Sequence, residues 1–280
     1  MEKLKRLWLD FFQSERTADW WGRKKDMCKK RDTEIVRIQG DGHIFSKIRY
    51  DNEWVYHYLL HVSFFMKQGD HFHLEEQVIP YQFRLKNGEV VNHKEIEPIL
   101  QQESAPSILP DDTRNDLEER FSYDRQAAVQ YAERWWNSYN PDYRKFDVDC
   151  TNYISQCLRA GGAPMHGAPD RSRGWWYSGD NWSFSWAVAH SLRWYLSGST
   201  KGLQGKEVQS AEELIPGDVI CYDFQGDGRW DHNTIVVAKD AYGMPLVNAH
   251  TDNSRNRYWS YEDSTAWTSD IQYKFFRIGE

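Results

Sequence analysis

The sequence predicts an α+β protein built from two domains, and three patterns support this. The chain opens with apolar residues at helical spacing, continues with β-branched and aromatic segments separated by turns, and after residue 120 places helices before strands. Its 280 residues exceed the roughly 150 typical of one domain. A composition of 40% hydrophobic and 28% charged residues, with a mean hydropathy of -0.82, is typical of a folded globular protein.

The first predicted domain, residues 1–115, combines a helix with an antiparallel sheet. Five apolar residues recur at the spacing of an amphipathic helix: Leu4, Leu7, Trp8, Phe11 and Phe12. We expect one helix to about residue 30 and a meander of strands from there to residue 85. The expected turns carry glycine or asparagine: Gly40–Gly42, Asp51–Asn52, Gln68–Asp70 and Asn87–Gly88. No role is predicted for this domain.

The stretch from Glu97 to about Glu119 predicts the linker between the domains. It is acidic and polar and contains three prolines, a composition typical of exposed connections. We therefore place the boundary after residue 115, so that the second domain spans residues 116–280.

The second domain is predicted to form its helices first and its strands later. The expected helices follow apolar residues at helical spacing and end near glycines or polar residues: Asp124–Ser138, Asp149–Arg159 and Ser183–Leu196. Three strand-like runs follow the turn at Pro216–Asp218: Val219–Phe224, His232–Ala238 and Leu246–Thr251. Together these elements predict helices packed on an antiparallel sheet.

Composition and charge exclude several classes of function. The net charge of -7 argues against nucleic acid as a partner, because phosphate binding needs a basic surface. We find no signal peptide and no stretch long and apolar enough to span a membrane, and we therefore expect the protein to be cytoplasmic as encoded. Association with the cell wall would then need another route. The sequence assigns no oligomeric state.

No cofactor and no metal site are expected from the sequence. His71 and His73 alternate on a strand, but no complete set of ligands accompanies them. The run Asp223–Gly228 resembles part of a calcium loop, yet it lacks the terminal bidentate acid, and we interpret it as a tight hairpin. The four cysteines include no Cys-x-x-Cys pair and are too few for a disulfide framework.

Cys150 is the candidate nucleophile. It stands at the predicted start of a helix, directly after Asp149, which can cap that helix. Free amide N–H groups and the helix dipole favour a thiolate at this position, so we expect a lowered pKa and a reactive sulfur. Cys157 lies two turns further along the same helix and is predicted to be a core residue.

His232 is the candidate general base, and the third member of a catalytic triad remains open. His232 begins a strand, after the turn that contains Asp227 and Gly228. The next strand carries Asn248 and His250 two residues apart, and therefore on one face. Either of these two side chains would suit a polar residue that orients the imidazole of His232.

The ordered motifs of residues 122–270 resemble the putative amidase domain family within the papain-like, NlpC-type and CHAP-type cysteine hydrolases. The motifs are Asp149–Gln156, Gly161–Gly162, Gly217–Val219, Asp227–Gly228 with Asp231–His232, and His250–Thr251. The resemblance implies a helix packed on an antiparallel sheet and hydrolysis of amide bonds in bacterial cell-wall peptides. It also implies Cys150 as nucleophile and His232 as base. The third position falls on Asn248 by the NlpC-type pattern and on His250 by the closer family.

We expect a thioester mechanism in which the backbone N–H of Cys150 binds the oxyanion. Substrate contacts are assigned to Asn152 and Asp231, which lie in the matching motifs, and to Trp176, whose aromatic run would wall a groove. A peptide or cell-wall fragment is the expected partner.

Two other hypotheses remain. In the first, the same aromatic cleft binds a peptide or glycan without catalysis, and binding is unaffected by Cys150→Ala. In the second, the thioester is passed to an added amine, as in a transferase or transpeptidase.

Overall fold

A computed structural model describes residues 2–15, 19–50, 53–96 and 121–279 of the chain. These residues form two compact units. The first comprises Met1–Pro98 together with Tyr261–Ala266, and the second comprises Ile99–Ser260 together with Trp267–Glu280. The expected linker lies outside the described residues, so the boundary after residue 115 stays a prediction.

The first unit begins with two helices, where the sequence pattern predicted one. They are α1 (Glu2–Gln13) and α2 (Trp20–Lys30). The second helix has its own start, because the Asp19 side chain accepts a hydrogen bond of 3.0 Å from the backbone N–H of Gly22. The capping bond explains why the apolar period does not continue through this region as a single helix.

The described part of the first unit forms four antiparallel strands. They are β1 (Thr33–Tyr50), β2 (Glu53–Gln68), β3 (His71–Lys86) and β4 (Glu89–Glu95). The expected turn at Gly40–Gly42 is absent, because β1 runs through it and pairs with β2 along its whole length. Asn87 and Gly88, both at positive φ, do form the predicted turn, but the strand after it was not predicted.

The core of the first unit lies between the helices and one face of this sheet. Alternate residues of β2 from Tyr58 to Met66 are buried there, as expected when every second side chain of a strand points to the same face. Trp8 on α1 donates its indole N–H to the hydroxyl of Tyr58 at 2.8 Å, which pairs the polar end of each buried ring.

The described residues of the second unit form four α-helices, a short 3-10 helix at Ala211–Glu213 and eight strands. The helices are α3 (Arg125–Trp135), α4 (Cys150–Ala160), α5 (Phe184–Ala187) and α6 (Ala189–Gly198). The strands are β5 (Tyr177–Ser178), β6 (Asn181–Trp182), β7 (Gly205–Val208), β8 (Val219–Asp223), β9 (His232–Lys239), β10 (Pro245–Ala249), β11 (Asn253–Tyr258) and β12 (Gln272–Ile278).

Six of these strands form an antiparallel sheet in the order β11-β10-β9-β8-β12-β7. Helices α3, α4 and α6 share one hydrophobic core with apolar residues of β8, β9 and β12. The unit is therefore a mixed α and β structure with helices on an antiparallel sheet, as the sequence predicted.

Two features of the second unit differ from the sequence predictions. The expected helix over residues 183–196 is broken at Val188, whose extended backbone separates α5 from α6. Strands β5, β6, β7, β11 and β12 were not predicted. Polar and charged residues dominate β11, so its alternation is not visible in the sequence, although both its ends are buried. None of the described helices is long and apolar enough to cross a membrane.

Candidate active site

Cys150 is the first residue of α4, and its side chain is buried, with 1% of the residue exposed. Three donors surround its sulfur: the hydroxyl and backbone N–H of Thr151 and the backbone N–H of Asn233. The distance from Cys150 Sγ to Thr151 Oγ1 is 3.7 Å. The sulfur therefore lies where the start of α4 meets the start of β9.

The thiol of Cys150 does not have the lowered pKa that the sequence predicted. Burial raises its pKa, and the nearby carboxylate of Asp149 adds to the rise, while the three hydrogen-bond donors lower it. Burial outweighs the donors because a charged sulfur in this enclosed position loses its hydration. In this conformation the group is a neutral thiol at neutral pH.

Asp149 precedes the helix, but its side chain does not cap it. Its Oδ1 accepts hydrogen bonds from the backbone N–H of Phe146, at 2.9 Å, and from the Asn152 amide, at 3.0 Å. Its Oδ2 lies 2.8 Å from His250 Nδ1. The Asp149 carboxylate therefore links Phe146, Asn152 and His250 at the start of α4.

Thr251 caps α4 in place of Asp149. Its Oγ1 accepts hydrogen bonds from the backbone N–H groups of Asp149, at 3.2 Å, and Cys150, at 3.3 Å. The Cys150 N–H is consequently engaged within the protein, whereas the sequence predicted that it would bind the oxyanion.

His232 begins β9, with its side chain on the sheet face opposite Cys150. Opposed residues of antiparallel strands share a face, and Tyr222 lies opposite His232 while Cys221 lies opposite Asn233. Asn233 faces α4, because its amide donates to Thr151 Oγ1 at 3.0 Å. The imidazole of His232 instead lies near the rings of Tyr222 and Phe224.

Burial and the positive charge of Arg257 lower the pKa of His232 from 6.5 to about 3. The imidazole is therefore neutral at neutral pH, which is the form a general base requires. The structure places His232 and Cys150 at the same end of β9, but not on the same face of the sheet.

Asn248 and His250 are both engaged by partners other than those predicted. Asn248 donates to Glu133 Oε1 at 2.9 Å and accepts from the backbone N–H of Asn256 at 2.8 Å. The two ring nitrogens of His250 lie 2.8 Å from Asp149 Oδ2 and 2.8 Å from the carbonyl oxygen of Trp135. Both neighbouring oxygens are hydrogen-bond acceptors.

The three residues expected to contact substrate are engaged within the fold. Asn152 is buried and bonds to the Arg144 carbonyl, Asp149 and the Trp186 indole. Trp176 is 2% exposed, and its indole N–H donates to loop carbonyls. Asp231 is half-buried, and its Oδ2 accepts from the backbone N–H of Phe224 at 3.1 Å.

The aromatic run over residues 175–186 is mostly core. Trp175 and Trp186 have no exposed surface, and their rings pack 4.8 Å apart between centroids. An open depression of about 570 Å³ lies elsewhere in the unit, between α3 and the start of the loop that follows it. Its aromatic walls are Tyr131 and Trp135. Trp175 and Trp186 are therefore core residues and do not wall the expected groove.

Sequence reasoning missed Thr251, Thr151 and Asn233 as neighbours of the candidate nucleophile. Thr251 stood within a motif of the resemblance, and Thr151 and Asn233 directly follow Cys150 and His232. Membership of these motifs and adjacency to a candidate catalytic residue were the available signals, because the contacts join residues 82 and 101 positions apart.

Within the described ranges, no group of three or more His, Cys, Asp or Glu side chains is placed to hold a metal ion. The run Asp223–Gly228 is a turn in which the Asp223 carboxylate accepts backbone N–H groups, including that of Gly228 at 2.7 Å.

The chain belongs to the family described as "Putative amidase domain", whose model matches residues 122–276. That description points to amide hydrolysis. The chain is similar to "Uncharacterized protein YhbB" of Bacillus subtilis (strain 168), with 47% identity over 263 residues, which cover 91% of this chain and 85% of the relative. It is also similar to "Uncharacterized protein YjcM" of the same organism, with 30% identity over 143 residues, which cover 48% of this chain and 32% of the relative. No solved structure matches the chain.

Proposed function

We propose that the protein is a cysteine-dependent amide hydrolase of the papain-like type, acting on peptides of the cell-wall kind, with Cys150 as its nucleophile. One observation carries the proposal: in a chain of the amidase family, the sulfur of Cys150 lies at the first turn of α4 within a cluster of hydrogen-bond donors. Such donors favour the thiolate, the form in which cysteine is a nucleophile.

His232 is the proposed base. Its neutral imidazole takes the proton of Cys150, and the thiolate attacks the amide carbonyl to form a tetrahedral intermediate. The C–N bond then breaks, the amine leaves with the proton from His232, and water hydrolyses the thioester to regenerate the thiol. This sequence of steps requires a change of backbone conformation at the start of β9, because His232 lies on the sheet face opposite to that of Asn233.

Two features support a neutral pair that becomes charged only during the reaction. Burial raises the pKa of Cys150 and lowers that of His232, so both groups are uncharged before substrate binds. Proton transfer between them is therefore uphill in the conformation described, and substrate binding has to favour it.

The test is hydrolysis of purified muropeptides by the full chain, followed by mass spectrometry of the products. We expect cleavage of an amide bond that is lost in Cys150→Ala and reduced at least about 100-fold in His232→Ala, the size of effect typical of a general base. Ser155→Ala, which removes another buried hydroxyl of α4, is the control. Undiminished cleavage by Cys150→Ala would contradict the proposal. Products that carry an added amine would indicate a transferase.

A non-catalytic binding module is the second candidate, and the raised pKa of the buried Cys150 thiol favours it. Binding would then be the same for Cys150→Ala as for the natural chain, and no product would form. Burial of Trp175, Trp176 and Trp186 argues against the aromatic cleft in which that ligand was expected to bind.

A further inference from the structure

The sulfur of Cys150 shares a buried corner with two polar side chains that the proposed mechanism does not yet use. Thr151 is 1% exposed and Asn233 has no exposed surface. Asn233 Nδ2 donates to Thr151 Oγ1 at 3.0 Å, and Thr151 Oγ1 lies 3.7 Å from Cys150 Sγ. The three groups therefore form a chain that ends at the sulfur.

The direction of this chain follows from the hydrogens available. A threonine hydroxyl carries one hydrogen and can accept through its lone pairs. The Asn233 amide uses a lone pair of Thr151, so the hydroxyl hydrogen remains available for the sulfur. The backbone N–H of Asn233 points at the same sulfur, so this one residue acts on it by two routes.

The other end of the Asn233 side chain supports a functional interpretation. Its Oδ1 is buried and has no hydrogen-bond partner among the described residues. A buried acceptor without a partner costs free energy, and native proteins tolerate few of them. The Asn233 amide is thus held in the orientation in which Nδ2 donates to Thr151, and in this orientation Oδ1 has no hydrogen-bond partner among the described residues.

We propose that Thr151 and Asn233 are positioning residues that direct the threonine hydroxyl hydrogen onto Cys150 Sγ and so stabilise the thiolate. This inference rests on the proposed function, because it assigns the two residues to the nucleophile named there. It explains how a sulfur in an enclosed place can lose its proton during the reaction. Hydrogen bonds to a charged acceptor are stronger than those to a neutral one, so the pair acts mainly once the thiolate has formed.

The test is the pH dependence of Cys150 alkylation by iodoacetamide in the full chain. Labelling is followed at the Cys150 peptide by mass spectrometry, because Cys28, Cys157 and Cys221 are also free thiols. Thr151→Val keeps the shape of the side chain and removes the hydroxyl. We expect it to shift the midpoint of labelling to higher pH by roughly one to two units, the value of one hydrogen bond to a charged group.

Two further variants separate this role from a merely structural one. Thr151→Ser keeps the hydroxyl and should restore the midpoint of the natural chain. Asn233→Asp places an acceptor beside Thr151, which turns the hydroxyl hydrogen away from the sulfur. We expect an alkaline shift at least as large as that of Thr151→Val. If Thr151→Val does not fold, Thr151→Ala, which also lacks the hydroxyl, provides the same test.

Ser155→Ala is the matched control, because its hydroxyl lies on the same helix but donates to the Trp186 carbonyl. Equal midpoints for Thr151→Val and Thr151→Ser, or an equal shift in Ser155→Ala, would overturn the inference. Muropeptide hydrolysis measured on the same variants keeps the two proposals separate. A shifted midpoint without any hydrolysis by the natural chain contradicts the proposed function alone, whereas hydrolysis lost in Cys150→Ala with unshifted midpoints contradicts this inference alone.

Discussion

His232 illustrates how a single buried side chain links the candidate site to stability. Its ring packs against Tyr222 and Phe224, and burial together with Arg257 lowers its pKa from 6.5 to about 3. Between these two pH values the unfolded chain binds a proton at this residue and the folded chain does not. This group therefore stabilises the fold above about pH 6.5, and that contribution is lost as the pH falls towards 3.

The first prediction concerns His232→Phe, which keeps an aromatic ring and cannot be protonated. We expect the free energy of unfolding of the natural chain to fall faster than that of the variant as pH decreases from 6.5 to 3. The difference should approach about 1.4 kcal/mol per pH unit. Urea unfolding at several pH values measures it, and parallel curves for the two proteins would show that the imidazole is accessible to protons.

His250 is held at the start of α4 in the conformation described. It forms a buried hydrogen bond with Asp149, and its ring stacks on Tyr153 with 4.0 Å between centroids. Removing one member of a buried hydrogen-bonded pair leaves the polar group of the other without its partner.

The second prediction is that His250→Ala lowers the free energy of unfolding by about 1–3 kcal/mol, because Asp149 loses a buried hydrogen-bond partner. Adding Asp149→Asn should recover part of this loss, because a neutral amide is less costly to leave buried without that partner. His61→Ala is the control, since the His61–Glu76 pair is more exposed and should cost under about 1 kcal/mol. Chemical denaturation measures all four proteins. A cost for His250→Ala no greater than the control would contradict the structural role of the His250–Asp149 hydrogen bond.

At the scale of elements, the two helices α3 and α4 begin in different ways. Asp124 caps α3 directly, since its Oδ1 accepts from the backbone N–H of Ala127 at 2.9 Å. Asp149 occupies the same position before α4 but uses its carboxylate elsewhere, and Thr251 supplies the capping oxygen. The same residue type before a helix thus has two roles, and the local sequence does not distinguish them.

The third prediction tests the local cap. Asp124→Ala should lower stability by about 1 kcal/mol, and Asp124→Ser should retain most of it, because serine also caps helices. Thermal unfolding of the natural chain and of the two variants measures both changes in stability. Equal losses for alanine and serine would mean that the carboxylate acts by charge and not by capping.

The outcome for the strands shows where sequence patterns are informative. The runs at β8, β9 and β10 are apolar and bounded by turns, and the sequence predicted them. Strand β1 continues through Gly40–Gly42, because pairing with β2 fixes the extended backbone that isolated glycines would not. Pairing partners therefore override local turn signals.

At the scale of the whole molecule, the first unit includes a segment from late in the chain. Lys24 on α2 is buried and contacts Glu75 at 2.6 Å and Asp263 at 3.0 Å. Burial opposes the charge of Lys24, but the carboxylates of Asp263 and Glu75 outweigh burial and raise its pKa. Gln77 also donates to Asp263, at 3.1 Å. The segment Tyr261–Ala266 thus supplies part of the interior of this unit.

The fourth prediction is that Asp263→Ala destabilises the first unit by about 3–5 kcal/mol, because it leaves Lys24 with one buried partner fewer. Hydrogen exchange of the α2 amides reports this unit directly and should become faster. The neighbouring Glu262→Ala is the control, since its bond to Lys30 is exposed and should be worth under about 1 kcal/mol. Unchanged protection of α2 in Asp263→Ala would contradict the interior role of the segment.

The sequence by itself determined the α+β class, the helical starts at residues 124 and 149, the strand that begins at His232, and the resemblance to the amidase family. These depend on local periodicity and on motifs read along the chain. Only the tertiary structure decided that Trp176 is buried, that Asp149 pairs with His250, and that His232 faces Tyr222. Asp149 and His250 lie 101 positions apart in sequence. The burial of Trp176 and the sheet face of His232 depend on packing and strand pairing, which local patterns do not show. Burial then fixes the protonation state of each group, because the charged form is costly away from water.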